Sequence, residues 1–310
     1  MRIAVIGAGA MGGLFGGLLA EAGHDVILIE VSARQIEAIS TNGLRLETEG
    51  RVRNLRIPIG PAPSFEGARE LIIVFTKGMH TREAVRGAAH LVGPETRVLT
   101  LQNGLGNSDT IADVLPQATI LIGMTNWPAD LHAPGHVISR GSGEVRLWSA
   151  SRAHDPAIER VAEVLNEAGL ACTADPQVEV SIWEKVAFNA ALNSLCAATG
   201  VSVAAVGHGS SGRQLARDIA AETLAVAEAI GLAVDLKRVE AAFDHAFREH
   251  GDHKPSMLQD IIAGRPTEIE TINGAVVRRA ESLGLDAPTT RILADLVRLR
   301  EASGGPRSCT

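Results

Sequence analysis

At 310 residues the chain is longer than one ordinary core requires and suits two domains of roughly 150 residues each. Hydrophobic residues make up 45% and charged residues 21%, the proportions of a soluble globular protein. With 29 Lys and Arg against 36 Asp and Glu the formal charge is −7, a balance that repels a phosphate backbone and argues against a nucleic-acid partner.

Arg2–Ile6 reads as a strand, Met11–Ala22 as a helix and Asp25–Glu30 as a second strand. Ala33–Ser40 continues as a helix, and Leu71–Thr76, Arg97–Leu101 and Thr119–Gly123 are further short buried strands. This alternation predicts an α/β fold, a Rossmann-type doubly wound parallel sheet with helices on both faces. Between about Leu131 and Trp148, Gly, Pro and Ser punctuate short alternating runs; His136–Ser139 and Glu144–Trp148 are expected to extend the sheet as antiparallel strands. From Asp175 onward almost every segment has helical period. Asp175-Pro176 suits a helix start, an N-cap acid followed by proline at the first helical position. Ala216–Ile230, Leu236–His250, Glu268–Leu283 and Thr290–Ala302 follow as amphipathic helices, with Gly231, Gly251 and Gly284 placed as C-caps and a frayed tail over Ser303–Thr310.

Cys172, Cys196 and Cys309 are far apart and form no CxxC pair, so neither a disulfide framework nor a metal site is expected. Inert thiols in a reducing cytosol are the simpler reading. No apolar run approaches the roughly 20 residues that cross a bilayer, and Met1-Arg2 leads directly into a strand rather than a signal peptide. A cytoplasmic protein with no membrane partner is expected.

Gly7-Ala8-Gly9-Ala10-Met11-Gly12 follows a strand and opens a helix. In a dinucleotide turn the first glycine makes the bend, the second lets pyrophosphate approach the backbone, and the third lets the helix pack closely on the strand. Freed N–H groups at the helix N-terminus then face the pyrophosphate charge. Glu30 closes the second strand, where a carboxylate accepts hydrogen bonds from the ribose hydroxyls and repels a 2′-phosphate. It tilts the cofactor toward NADH, although Arg34, one helical turn on, would offset that repulsion. The alternative is a solvated strand-end charge.

Lys185, Asn189 and Asn193 recur every fourth residue among Ala, Val, Leu and Phe188, so they share one face of a helix. Buried ammonium and carboxamide groups need partners. Those partners are either a ligand or helix-packing hydrogen bonds. Lys77 and Asn103 each follow a predicted strand, in the loops where a doubly wound sheet takes its ligands, though alone they read as a surface charge and an Asn-Gly turn. Ser256 with Gln259, and Thr267 with Glu270, are each spaced as a capping box.

Together these residues resemble the ketopantoate reductase family (2-dehydropantoate 2-reductases), over nearly the whole chain. The resemblance is carried by the glycine turn, Lys77, Gln102-Asn103-Gly104, Trp183 to Lys185 with its two asparagines, Ser256–Asp260, Thr267-Glu268-Ile269 and Asn273-Gly274. It implies that Lys185 is the catalytic proton donor, that Asn189, Asn193 and Ser256 contact the keto acid, and that Asn103 bridges cofactor and substrate. Lys77, Ala129 and Glu268 would line the cofactor beside Gly7, Ala8, Gly9, Ala10, Met11, Gly12 and Glu30. The family default is NADPH, with a basic residue where this chain has Glu30-Val31; the family's further substrate asparagine has no counterpart in Thr199–Ala204.

The expected domains are therefore a dinucleotide-binding domain over 1–174 and an all-α C-terminal substrate and catalytic domain over 175–310. The expected activity is NAD(P)H-dependent reduction of ketopantoate to pantoate, as in pantothenate biosynthesis. A reductase or dehydrogenase of another 2-keto or 2-hydroxy acid is the alternative. A non-catalytic nucleotide-binding redox sensor would show an eroded Lys185 stripe, and the stripe is intact. The resemblance also implies a possible homodimer through the helical domain, whose outer faces show no decisive apolar stripe in the sequence.

Overall fold

The computed structural model describes residues 1–249, 251 and 254–303. They form two compact units, Met1–Gln102 with Asn107–Val178, and Asn103–Gly106 with the chain from Glu179. Cys309, His250 and the tail beyond Ser303 lie outside the described residues.

The first unit runs β1 (Arg2–Ile6), α1 (Ala10–Glu21), β2 (Asp25–Ile29), α2 (Ala33–Asn42), β3 (Leu44–Thr48), β4 (Arg51–Leu55), β5 (Ile59–Gly60) and β6 (Arg69–Val74). It continues through α3 (Thr81–Gly87), β7 (Val92–Thr100), α4 (Asn107–Val114), β8 (Thr119–Thr125), β9 (Asp130–Ala133), β10 (His136–Ser139), β11 (Val145–Ser149), α5 (Ala157–Glu167) and β12 (Cys172–Ala174). Eight strands form one sheet in the order β12-β11-β8-β7-β6-β1-β2-β5. From β5 to β8 every pairing is parallel, while β11 runs antiparallel to β8. The central strands are apolar without alternation because both faces are buried. Ile3, Val5, Leu28, Leu71 and Ile73 fill one core, and Ala4, Ile6, Ile27, Ile29, Ile72 and Val74 the other.

Of the two runs expected to extend this sheet, only β11 does. β10 belongs instead to a second sheet, β4-β3-β10-β9, pairing parallel with β3 and antiparallel with β9. The β3–β4 hairpin turns at Glu49-Gly50, both at positive φ (49° and 73°), and offers β10 an edge about ninety residues away in sequence. α1 separates the two sheets. A Cβ at its Gly13 would meet Val137 at 2.7 Å, and one at Gly16 would meet Leu28 at 2.6 Å. Glycine's helical cost of about 1 kcal/mol per residue is offset here by close packing on both sides.

The second unit holds α6 (Val178–Thr199, its first residue shared with the first unit), α7 (Val203–His208), α8 (Ser210–Ala229), α9 (Leu236–Glu249), α10 (Ser256–Ile262), α11 (Asn273–Ser282) and α12 (Pro288–Ser303). α6 is apolar almost all round and is the buried axis of this unit, with Ala187, Ala190, Ala191, Leu192, Leu195 and Cys196 in its core. Its C-terminus is closed twice, by the Gly200 N–H on the Cys196 carbonyl at 2.8 Å and by Arg300 Nη1 on the Ala197 carbonyl at 3.0 Å. The Glu222 carboxylate of α8 caps α12, accepting the Thr289 and Thr290 N–H groups at 2.9 and 2.8 Å and the Thr290 hydroxyl at 2.7 Å.

Several local expectations change. Asp175 does not cap α6: its carboxylate accepts the Gln177 N–H at 2.8 Å in a turn, and the helix begins at Val178. The helix expected from Glu268 begins at Asn273, after a turn over residues 268–272. Neither capping box forms. Ser256 is the first helical residue, and Gln259 Nε2 donates to the Lys254 carbonyl at 2.9 Å. Thr267 Oγ1 accepts the Ile269 N–H at 3.1 Å, but Glu270 is held by Arg278 and Arg298. α12 also carries the apolar stripe not evident in the sequence: Ile292, Leu296 and Leu299 are 62%, 46% and 63% exposed. Cys172 and Cys196 are free and buried, and burial pushes both thiols up to about 12. Among the described residues no helix is long and apolar enough to cross a membrane.

Candidate active site

In the first unit the turn after β1 is shaped by its glycines. Gly7 adopts φ +94°, closed to L side chains, and its N–H donates to the Ile29 carbonyl at 2.8 Å. A Cβ at Gly12 would sit 1.7 Å from the Gly7 carbonyl oxygen, so no side chain fits there. A Cβ at Gly9 would meet nothing within 4 Å. Gly9 is also the N-cap of α1 and supplies no side-chain cap, which leaves first-turn N–H groups for an anion. Open space over Gly9 beside an uncapped helix start fits a pyrophosphate.

Glu30 folds back over this turn. Its carboxylate accepts the Ala8 N–H at 2.9 Å, the Val31 N–H at 2.8 Å and the Ser32 N–H at 2.9 Å. Three of roughly four acceptor positions are thereby occupied, and the charge is fixed at the end of β2. Arg34 is exposed on the first turn of α2. Gln35, 5% exposed and not singled out from the sequence, donates to the Ala8 carbonyl at 2.6 Å and accepts the Gly135 N–H at 2.9 Å. Its signal was a polar residue on the buried face of α2.

Gln102 ties the ends of β6 and β7 together. Its Nε2 donates to the Thr76 carbonyl at 2.6 Å and to Thr81 Oγ1 at 2.7 Å, and its Oε1 accepts from Thr100 Oγ1 at 3.0 Å. Lys77 stands on the loop so fixed, immediately before the short helical turn Gly78–His80. Ala129 is partly buried against the first unit's core. Ala10 and Met11 open α1.

The second unit gathers the other candidates. Lys185, Asn189 and Asn193 lie along one face of α6; Asn189 and Asn193 are 8% and 7% exposed. No hydrogen bond to either carboxamide is found among the described residues, so both keep donor and acceptor capacity for a ligand. Lys185 retains some accessible surface, yet its surroundings are dense. Burial pulls its ammonium down to about 8, against the opposing pull of the Glu268 carboxylate. Glu268 sits on the turn before α11. Asn103 belongs to this unit rather than to the sheet, because Leu105 N–H donates to the Thr271 carbonyl at 2.8 Å on that same turn. Gly104, at φ +85°, lies so near Thr271 that a Cβ would approach its carbonyl oxygen to 2.3 Å.

Thus the turn 268–272 brings Glu268 to Lys185 and anchors the segment that carries Asn103. Ser256 is exposed at the start of α10, and no described hydrogen bond joins it to the stripe. Among the described residues no group of three or more His, Cys, Asp or Glu is placed to hold a metal ion. A lowered ammonium beside a carboxylate, followed along α6 by two carboxamides without partners among the described residues, can deliver a proton to a polar oxygen and orient a small carboxylic acid.

Comparison with known proteins identifies the family. The family model described as "Ketopantoate reductase PanE/ApbA" matches residues 3–151, and the model for that family's C-terminal region matches residues 177–301. A 2-dehydropantoate 2-reductase of Streptococcus pyogenes serotype M3 is 34% identical over 303 residues, covering 97% of this chain and 98% of its own. Among solved structures, a D-mandelate dehydrogenase with NADH and anilino(oxo)acetate superposes with a TM-score of 0.94 at 34% identity, covering 98% of this chain and 99% of its own. A ketopantoate reductase from Ralstonia eutropha JMP134 gives 0.90 at 30% identity, with the same coverages of 98% and 99%. Two family models and full-length relatives above 30% identity place this chain in the ketopantoate reductase family of oxidoreductases.

Proposed function

We propose that the chain reduces 2-keto acids, with ketopantoate to pantoate as the leading reaction and a nicotinamide cofactor as the reductant. The observation that carries the reading is Lys185, whose ammonium is lowered to about 8 beside Glu268, on a face shared with Asn189 and Asn193. A lysine with a value near neutrality both holds a proton at working pH and gives it up readily.

The bound cofactor would supply the hydride to the ketone carbon. Gly7, Ala8, Gly9, Ala10, Met11 and Gly12 would hold its pyrophosphate, and Glu30 its adenosine ribose; Lys77, Ala129 and Glu268 would line it. As the carbonyl bond opens, Lys185 would hydrogen-bond the oxygen and transfer its proton there, leaving a neutral amine and a hydroxy acid. The cation thus stands where negative charge grows, which stabilises the transition state. Asn189, Asn193 and Ser256 would orient the keto acid, with Asn103 reaching both ligands. The anchored Glu30 carboxylate supports NADH over NADPH, because a 2′-phosphate would meet a charge held by three N–H donors.

A second reading, action on another 2-keto or 2-hydroxy acid, is supported by the TM-score of 0.94 to the D-mandelate dehydrogenase. Steady-state oxidation of NADH and NADPH against ketopantoate, phenylglyoxylate and smaller 2-keto acids separates the two. Highest kcat/KM on ketopantoate supports the first; inert ketopantoate with good turnover of another acid favours the second. The molecule would work in the cytoplasm, as a homodimer joined through the Ile292–Leu296–Leu299 stripe.

A further inference from the structure

Asn273 is fully buried at the start of α11 and has no place in the reaction outlined above. Its Nδ2 donates to the Ala190 carbonyl at 2.9 Å and to Ser194 Oγ at 3.3 Å, both on α6. Ser194, equally buried, also donates to the Ala190 carbonyl. Two side chains therefore converge on one carbonyl that already accepts the helix's own i→i−4 bond. At about 100° per residue, Ala190 and Ser194 lie on the flank of α6 turned away from Lys185 and Asn189. The grip lies opposite Lys185 but only about 60° round from Asn193.

The same segment holds the carboxylate. Thr271 and Ile272 donate their N–H groups to the Glu268 carbonyl at 3.1 and 3.0 Å, and Gly274 donates to the Ile269 carbonyl at 2.8 Å. Glu268 and Asn273 therefore belong to one closed turn. Asn273 Oδ1, meanwhile, is buried without a partner among the described residues. An apolar side chain here would remove that orphaned acceptor and orphan nothing on α6, since Ala190 and Ser194 would remain bonded to each other. Hydrogen-bond satisfaction alone does not account for an amide at this position.

We propose that Asn273 is a positioning residue: by gripping α6 at Ala190 and Ser194 from within the turn that carries Glu268, it fixes the placement of Lys185 relative to that carboxylate. The inference rests on the reading of Lys185 as proton donor. The Glu268 carboxylate opposes the effect of burial on Lys185, so a looser turn weakens an influence that favours the ammonium.

The test is the pH dependence of kcat/KM for keto-acid reduction, measured first on the unaltered protein. Loss of activity as Lys185 deprotonates, absent in Lys185→Ala, establishes the donor; if the unaltered protein lacks that limb, the donor reading fails and the proposal fails with it. Given the limb, Asn273→Leu is expected to keep its Tm within a few degrees, to lower kcat by about tenfold and to move the limb to lower pH. Asn273→Ser, which removes the amide without adding bulk, carries the same expectation should the leucine variant not fold. Ser194→Ala, which leaves the amide on Ala190, is expected to keep the limb in place. A limb unmoved in both Asn273 variants, or moved equally by Ser194→Ala, overturns the proposal.

Discussion

The Ala8 N–H donates to the Glu30 carboxylate at 2.9 Å, joining the glycine turn to the end of β2. That bond holds the acid over the turn instead of leaving it a solvated strand-end charge. Replacing Glu30 by Ala is expected to raise kcat/KM with NADPH relative to NADH by about threefold, the worth of one screened charge contact of roughly 0.7 kcal/mol. Steady-state kinetics with both cofactors checks this. An unchanged ratio would make Glu30 a brace for the turn and nothing more.

Lys185 imposes a stability cost with a defined pH window. Its folded value, about 8, lies below the ordinary 10.5, so the unfolded chain binds this proton more tightly. The cost is complete below pH 8 and fades as pH rises toward 10.5. Lys185→Met is therefore expected to be more stable than the unaltered protein at pH 7, by about 1–2 kcal/mol after allowance for residual exposure. Thermal unfolding should show a Tm gap at pH 7 that narrows between pH 8 and 10.5. A variant no more stable at pH 7 would mean that the ammonium is well solvated.

Glu222 bonds the N-terminus of α12 through three donors. Glu222→Ala is expected to cost about 1–2 kcal/mol in urea unfolding, typical of a lost N-terminal cap, with kcat within twofold. A large loss of kcat at unchanged stability would give Glu222 a part in the reaction that its place on α8, against the start of α12, does not suggest.

The stripe Ile292, Leu296 and Leu299 repeats at the i, i+4, i+7 spacing of a helix-packing face. If it joins two copies, Leu296→Glu should turn a dimeric species into a monomer in light scattering at micromolar concentration. The same mass for both proteins would place any dimer contact elsewhere.

What could be read from the sequence follows from range. β1, β2 and β6 are short apolar runs buried on both faces, and their pattern is local. The glycine turn is equally local, because Gly7 and Gly12 answer to each other across five residues. β10 pairs with β3 from about ninety residues away, and nothing in His136–Ser139 names that partner. The polar stripe of α6 was visible as period, since three polar side chains on an apolar helix stand out. Its companions were not. Thr267 and Glu270 have capping-box spacing, but the arginines Arg278 and Arg298 win the carboxylate and the helix starts later. Asn273 falls inside the helix expected over Glu268–Leu283, and only tertiary packing turns its side chain toward Ala190.

The most direct test of the central claim is Lys185→Ala, assayed for ketopantoate-dependent NADH oxidation alongside NADH affinity by fluorescence titration. The account predicts at least a hundredfold loss in kcat, the scale of a lost general acid, with the Kd for NADH changed by less than about threefold. An unchanged kcat would contradict it.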